Sequence, residues 1–139
     1  MILLDTNVLS ALMSPKPDQA VLNWLNRQPE SSIWTTTITL MELRFGVASL
    51  PVGRRRQVLA QGLDEVLMKE IEGRIVAFDS AAAEQAAELS ALRRRTGTLV
   101  GFRDTMIAGI VLATRATLAT RNTPDFADLK VPVVNPWIP

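Results

Sequence analysis

Short apolar segments alternate with longer segments of helical periodicity, and this alternation restricts the fold of the chain more than any other feature. The apolar segments are too short for helices and rich in β-branched residues, which is typical of buried strands. They cover residues 2–4, 33–38, 74–78, 116–120 and 131–134. Strands separated by one or two helices favour an α/β fold, a parallel sheet flanked by helices on both faces.

The 139 residues contain no repeat, linker or low-complexity stretch, so we expect a single domain spanning 1–139. The first residues carry no basic region and reach a charge at Asp5, which argues against a signal peptide. No apolar stretch approaches the roughly 20 residues of a membrane span. We therefore expect a cytoplasmic protein with no membrane association.

The chain lacks both cysteine and histidine. The absence of cysteine excludes disulfides, thiolate zinc sites and cysteine nucleophiles, and the absence of histidine excludes Ser-His-Asp triads and imidazole bases. Any catalysis must therefore use carboxylates, hydroxyls, lysine or arginine. Any metal must be a hard ion that prefers oxygen ligands, such as Mg²⁺ or Mn²⁺.

Ligands of parallel sheets bind at the carboxyl ends of the strands, so acidic residues near these ends are candidates for a site. Asp5 directly follows the first apolar segment and either caps the next helix or belongs to a site. Glu42 has Ile38 and Phe45 at positions i−4 and i+3, where a charge on an apolar stripe needs a partner. Asp104 lies in the first turn of a later helix, where capping is the alternative.

Two further oxygen donors, Asn122 and Asp125, follow the fourth apolar segment, although Asn-Thr-Pro is also a turn signal. Asp79 follows the third segment, and we interpret it as a helix cap. Two carboxylates about 5 Å apart repel by roughly 3 kcal/mol at an effective dielectric of about 20. A divalent cation among such carboxylates removes the repulsion, and it can assist attack of water on a phosphodiester.

The arginines include two triplets, Arg54–Arg56 and Arg93–Arg95. Two interpretations are open: solvated helix faces, or contact with a polyanion. The net charge of +1 gives no general reason to expect nucleic-acid binding. Phosphate contacts through these arginines would not select a nucleic-acid sequence, and the few aromatic residues offer no platform for stacking bases.

Five motifs follow one another along the chain. They are Leu3-Leu4-Asp5-Thr6-Asn7-Val8-Leu9, Thr39-Leu40-Met41-Glu42-Leu43-Arg44-Phe45-Gly46-Val47, Asp104 with Ile107-Ala108, Ala119-Thr120-Arg121-Asn122, and Asn135-Pro136-Trp137. Together and in this order they resemble the motifs of PIN-domain ribonuclease toxins of the VapC family, close to its FitB-like branch. The resemblance covers essentially the whole chain.

The resemblance implies a PIN fold and a nuclease that depends on Mg²⁺ or Mn²⁺. The catalytic and metal-binding acids of the family carry over onto Asp5, Glu42 and Asp104, and the hydroxyl after the first acid carries over onto Thr6. Many members have Thr-Arg-Asp after the fourth strand, where this chain has Thr120-Arg121-Asn122. Two substitutes for the missing acid remain open: the amide oxygen of Asn122 and the carboxylate of Asp125.

The resemblance also implies the toxin of a type II toxin–antitoxin system, which cleaves RNA, forms a homodimer and is inhibited by a VapB-like antitoxin. Contact with DNA is expected only through the antitoxin, and Trp24 and Phe45 are candidate anchors of the dimer. The alternative, suggested by Asn122, is a catalytically weak PIN module that acts as partner or corepressor of a DNA-binding antitoxin. A receiver-type phosphoacceptor is disfavoured, because no acidic pair follows the first strand and no lysine follows the last.

Overall fold

The computed structural model describes residues 1–139, which form a five-stranded parallel sheet. The strands are β1 Ile2–Leu4, β2 Ile33–Thr36, β3 Ile75–Val76, β4 Thr117–Ala119 and β5 Val133–Val134. Their order across the sheet is β3-β2-β1-β4-β5, so β1 is central. Leu3 of β1 lies opposite Trp34 on one side and Leu118 on the other. Because all strands are parallel, their carboxyl ends meet at one edge.

Six α-helices connect or flank the strands. They are α1 Thr6–Met13, α2 Gln19–Asn26, α3 Thr37–Ala48, α4 Arg54–Val66, α5 Ser80–Thr96 and α6 Phe102–Thr114. Helix α4 continues into a π-helical turn, Leu67–Ile71, which ends at Glu72 in the left-handed conformation (φ 51°). Short 3₁₀ turns cover Glu30–Ser32 and Thr123–Phe126. No helix is both long and apolar enough to cross a membrane.

Successive side chains of β1 enter two hydrophobic cores, one on each face of the sheet. Leu4 packs in the core formed with α1, α2 and α4, which includes Leu63. Leu3 packs in the core formed with α5 and α6, which includes Ile107. Both leucines are fully buried, and each burial contributes about 2 kcal/mol. The predicted parallel sheet with helices on both faces is therefore confirmed.

The boundary between β2 and α3 differs from the prediction of a strand that continues to residue 38. The Thr36 hydroxyl accepts a hydrogen bond from the Thr39 amide at 3.1 Å and caps α3. Thr37 and Ile38 are therefore helical, because the cap outweighs their β propensity. This earlier start places Glu42 in the second turn of α3. Strands β3 and β5 are also shorter than predicted, with two residues each.

Helices α5 and α6 pack closely at a glycine. A Cβ added to Gly109 would lie 2.5 Å from the Ala82 carbonyl oxygen and 2.8 Å from the Ala86 Cβ. Near the other end of the pair, the Arg93 side chain contacts the Thr105 hydroxyl. The two helices are therefore antiparallel, and the first turn of α6 lies beside the last turn of α5.

Two expectations about surface residues are wrong. Arg93 is only 3% exposed, because it pairs with Asp128 from a distant part of the chain, so it belongs neither to a solvated face nor to a polyanion-binding surface. Its neighbours Arg94 and Arg95 are exposed. Trp24 is 5% exposed and packs in the core, so it cannot anchor a dimer, whereas Phe45 is 61% exposed.

Candidate active site

The carboxyl edge of the sheet collects the acidic residues predicted for the site. Asp5 follows β1 and Thr120 follows β4, and the pairing of Leu4 with Ala119 makes these two residues neighbours. Helix α3, which begins at the end of β2, contributes Glu42. Helix α6 contributes Asp104 from its first turn. These residues, distant in sequence, therefore lie at one edge of the sheet.

Asp5 is 3% exposed and is held by three neighbours. Its Oδ1 accepts a hydrogen bond from the Thr6 amide (2.8 Å), and its Oδ2 accepts bonds from the Thr120 hydroxyl (2.7 Å) and the Asn7 side-chain amide (3.3 Å). Burial raises the pKa of Asp5, the hydrogen bonds oppose this rise, and the charge of Glu42 adds to it. Asp5 caps α1 and also faces Glu42, so helix capping and a role in the site are compatible.

Glu42 is connected to Asp5 through a threonine. The Thr6 hydroxyl donates to Glu42 Oε1 at 3.0 Å and also lies 3.3 Å from the Thr39 hydroxyl. The other Glu42 oxygen is 3.7 Å from Arg103 Nη1, and both side chains are partly solvent-exposed. The partners that the charge of Glu42 requires are therefore present, and they come from α1 and α6.

The pKa of Asp104 is raised well above the ordinary value of an aspartate. Burial raises its pKa from 3.8 to about 6, and the negative charges of Asp5, Asp125 and Glu42 contribute to the rise, while Arg93 opposes it. Four carboxylates are therefore close enough to influence one another. Negative charges this close to Asp104 repel its ionised form, and a cation among them would reduce that repulsion.

Asn122 and Asp125 lie together in the turn after β4. The Asn122 side-chain amide donates a hydrogen bond to Asp125 Oδ2, and the Asn122 backbone amide donates to the Thr120 hydroxyl at 3.0 Å. Asn122 is exposed, whereas Asp125 is partly buried and acts on Asp104 electrostatically. The structure thus places the charge of Asp125 near Asp104, and it shows Asn122 bonded to Asp125 at an exposed position.

The donor set suits a hard divalent cation. All the side chains that converge here offer oxygen, and none offers sulfur or imidazole nitrogen, which matches Mg²⁺ or Mn²⁺ rather than zinc. As the side chains stand, no three acidic groups are close enough to share one ion. Glu42 is engaged by Thr6 and Arg103, and Asp125 is engaged by Asn122. Coordination of one ion by three acids therefore requires these groups to move from their positions in the structure.

The sequence prediction missed three residues that organise the site. Asn7 links Asp5 and Thr120 through its side-chain amide, and its oxygen accepts a bond from the Arg121 amide at 3.0 Å. Arg93 opposes the rise in the pKa of Asp104, and Arg103 lies 3.7 Å from Glu42. Asn7 stands in the first sequence motif, but an asparagine after a strand is indistinguishable from a turn residue without coordinates.

Comparison with known proteins gives a family for this arrangement. Residues 2–131 match the PIN domain family. The chain is 37% identical over 139 residues to the VapC ribonuclease Y4jK of Sinorhizobium fredii, covering 100% of this chain and 99% of the relative. It is 36% identical over 137 residues to the toxin FitB of Neisseria gonorrhoeae, covering 99% of each.

Solved structures agree with these relatives. The crystal structure of FitAcB from Neisseria gonorrhoeae superposes with a TM-score of 0.87 at 36% identity, covering 99% of both chains. VapBC2 from Rickettsia felis, bound to a DNA fragment from the promoter of its genes, gives a TM-score of 0.80 at 26% identity, covering 97% of this chain and 98% of the other. By sequence and by fold, the chain belongs to the PIN-domain family and to its VapC and FitB toxin branch.

Proposed function

We propose that this PIN-domain protein is a toxin that hydrolyses RNA phosphodiester bonds with water and a divalent cation, Mg²⁺ or Mn²⁺. The observation that carries the proposal is the convergence of Asp5, Glu42 and Asp104 at one edge of the sheet, where burial and the charges of Asp5, Asp125 and Glu42 raise the pKa of Asp104 to about 6. The similarity to a VapC ribonuclease and to the toxin FitB over the full length supports the same class of reaction.

Asp5 and Asp104 are the side chains we propose to hold the cation directly, with Glu42 as the third acid. When bound, the cation would lower the pKa of a water molecule and stabilise negative charge on the phosphoryl oxygens. Thr6 fixes the spacing of two of the acids, because its backbone amide donates a hydrogen bond to Asp5 and its hydroxyl donates one to Glu42. Thr120 fixes the other oxygen of Asp5.

Asp125 is our choice for the acid that many relatives have at the position of Asn122. Two contacts support this choice: the charge of Asp125 acts on Asp104, and the amide of Asn122 donates to Asp125. Asn122 would then support Asp125 instead of binding the cation itself.

We further propose a homodimer that is inhibited by a VapB-like antitoxin and that contacts DNA only through this antitoxin. The FitAcB and promoter-bound VapBC2 assemblies support this class of partner. An arginine or lysine of the antitoxin placed among the carboxylates would form charge-assisted hydrogen bonds and exclude the metal. Inhibition would then require no conformational change in the toxin.

Cleavage of total cellular RNA by the purified protein tests the proposed reaction. We expect cleavage with Mg²⁺ or Mn²⁺, none in EDTA, and none by Asp5→Asn or Glu42→Gln. The matched control is Asp64→Asn, since Asp64 pairs with Arg44 on the exposed side of α3 and α4, away from the cluster. Full activity in EDTA or in Asp5→Asn would refute the site.

A second function is specific enough to test in the same experiment. The amide at Asn122 reduces the charge of the cluster relative to relatives with an acid there, which favours a catalytically weak partner or corepressor of a DNA-binding antitoxin. Absence of metal-dependent cleavage by wild-type protein that is folded and binds its antitoxin would support this second function and contradict the first. Mapping the cleavage sites would identify the RNA substrate.

A further inference from the structure

Arg93 is a buried cation that the proposed reaction does not use. It lies in the last turn of α5 and is 3% exposed, while the adjacent Arg94 is exposed. Removal of a guanidinium from water is costly unless its charge and its N–H groups are satisfied. The partners of Arg93 therefore show what this residue holds together.

Four hydrogen bonds of 2.9 Å satisfy the guanidinium. Nε and Nη2 donate to the two carboxylate oxygens of Asp128 in a bidentate pair. Nη1 donates to the Thr105 hydroxyl, and Nη2 also donates to the backbone carbonyl of Asp125. The same pairing holds the pKa of Asp128 below its usual range. One side chain thus joins the end of α5, the first turn of α6 and the turn after β4.

Two of these contacts adjoin acids of the proposed site. Thr105 directly follows Asp104 in the first turn of α6, and Asp125 is bonded through its own backbone. The guanidinium of Arg93 therefore sets the distance between the two backbone segments that carry the carboxylates of Asp104 and Asp125. Lysine cannot reproduce these contacts, because its ammonium is one compact charge on a flexible side chain and lacks the planar set of N–H donors of a guanidinium.

We propose that Arg93 is a positioning residue that keeps Asp104 and Asp125 at the separation needed to bind a divalent cation. The inference rests on the proposed metal-dependent function. It differs from a purely structural role, in which Arg93 would only attach the turn to the helices. A structural role lowers thermal stability alone, whereas a positioning role also weakens metal binding by the folded protein.

The test measures Mn²⁺ binding by the full chain, using the electron paramagnetic resonance signal of free Mn²⁺ without RNA. We expect Arg93→Lys to keep the charge but to weaken Mn²⁺ binding about tenfold or more, as is usual when a support of a metal ligand is lost. Asp128→Asn, which breaks the bidentate pair and leaves Arg93 in place, should weaken binding in the same direction. Arg94→Met is the matched control from the same turn and should bind Mn²⁺ like the wild type.

Introducing Arg93→Lys into the Asp125→Ala protein tests whether Arg93 affects Mn²⁺ binding through Asp125. If Arg93 acts through Asp125 as well as Asp104, the loss caused by Arg93→Lys should be smaller in Asp125→Ala than in the wild type. In cleavage assays the variant should need more Mn²⁺, with KM for RNA unchanged at saturating Mn²⁺. Stability is measured in parallel by thermal unfolding.

Unchanged Mn²⁺ affinity in folded Arg93→Lys would overturn the inference, even with a lower Tm. Should Arg93→Lys not fold, Asp128→Asn decides in its place, because Asp128 is partly exposed and asparagine keeps one oxygen that can accept a hydrogen bond from Arg93. Failure of the wild type to bind Mn²⁺ would refute the proposed function and this inference together. Binding by the wild type with no effect of either variant would refute the inference alone.

Discussion

Asp104→Asn should stabilise the protein in the absence of divalent metal. In the folded state, burial and the charges of Asp5, Asp125 and Glu42 raise the pKa of Asp104 to about 6. A carboxyl whose pKa is raised on folding favours the folded state below its unfolded pKa, and this contribution is lost as the pH rises through the folded value. Asparagine carries no charge at any pH. The stability advantage of the variant over the wild type should therefore grow between about pH 4 and pH 7 and persist at higher pH.

The magnitude follows from the two pKa values. Each tenfold change in proton affinity corresponds to about 1.4 kcal/mol, so a rise from 3.8 to about 6 gives an upper limit of about 3 kcal/mol. Asp104 is partly exposed, and screening by solvent reduces this limit to about 1 to 1.5 kcal/mol. In a domain of this size, the corresponding increase in Tm is about 3 to 5 °C.

Thermal unfolding in EDTA at about pH 4 and about pH 7.5 measures the effect. Glu88→Gln, on the exposed face of α5, is the matched control for loss of one negative charge outside the cluster. Addition of Mn²⁺ should reverse the order, because only the wild type retains the carboxylate that we propose as a ligand. An increase in Tm that is equal at both pH values would refute the reasoning, since it would come from packing of the amide and not from removal of a buried and repelled negative charge.

Three further outcomes follow from other parts of the structure. Asp125→Ala should reduce RNA cleavage about tenfold or more, whereas Asn122→Asp should leave it similar or higher, and equal cleavage by Asp125→Ala and wild type would remove Asp125 from the site. Gly109→Ala should lower stability by about 1 to 3 kcal/mol in urea unfolding, because the new methyl group meets the Ala82 carbonyl; unchanged stability would show that α5 and α6 separate easily. Light scattering should give a dimer of about 30 kDa that Phe45→Asp shifts toward the 15.3 kDa monomer, and a monomeric wild type would contradict the dimer.

The fold could be predicted from the sequence because its strands and helices produce local patterns of apolar residues. Short apolar segments and helical periodicity located all five strands and the helices around them. The error at the boundary between β2 and α3 came from a capping interaction that outweighs propensity. The β-branched Thr37 and Ile38 are helical, and the Thr36 hydroxyl caps α3 in front of them.

The acidic residues were accessible for a different reason. Asp5, Asp125 and Asp104 stand directly after strands or at a helix start, and a parallel sheet brings such positions to one edge. Arg93 was not accessible, because its partner Asp128 is 35 residues away and its neighbours in sequence are exposed arginines. Burial of one arginine in a triplet depends on long-range packing, which residue type and spacing do not encode.

The charge of the site depends on which donors surround the acids. Asp5 is bonded by two threonines and an asparagine, which are neutral, so these bonds fix the carboxylate without cancelling its charge. Arg93 is already paired with Asp128, and Arg103 reaches Glu42 only at 3.7 Å from an exposed position. The cluster therefore keeps an excess of negative charge that a mobile cation can neutralise. A metal ion and a basic side chain of a partner would compete for the same charge, so the features that would support catalysis would also make the toxin easy to inhibit.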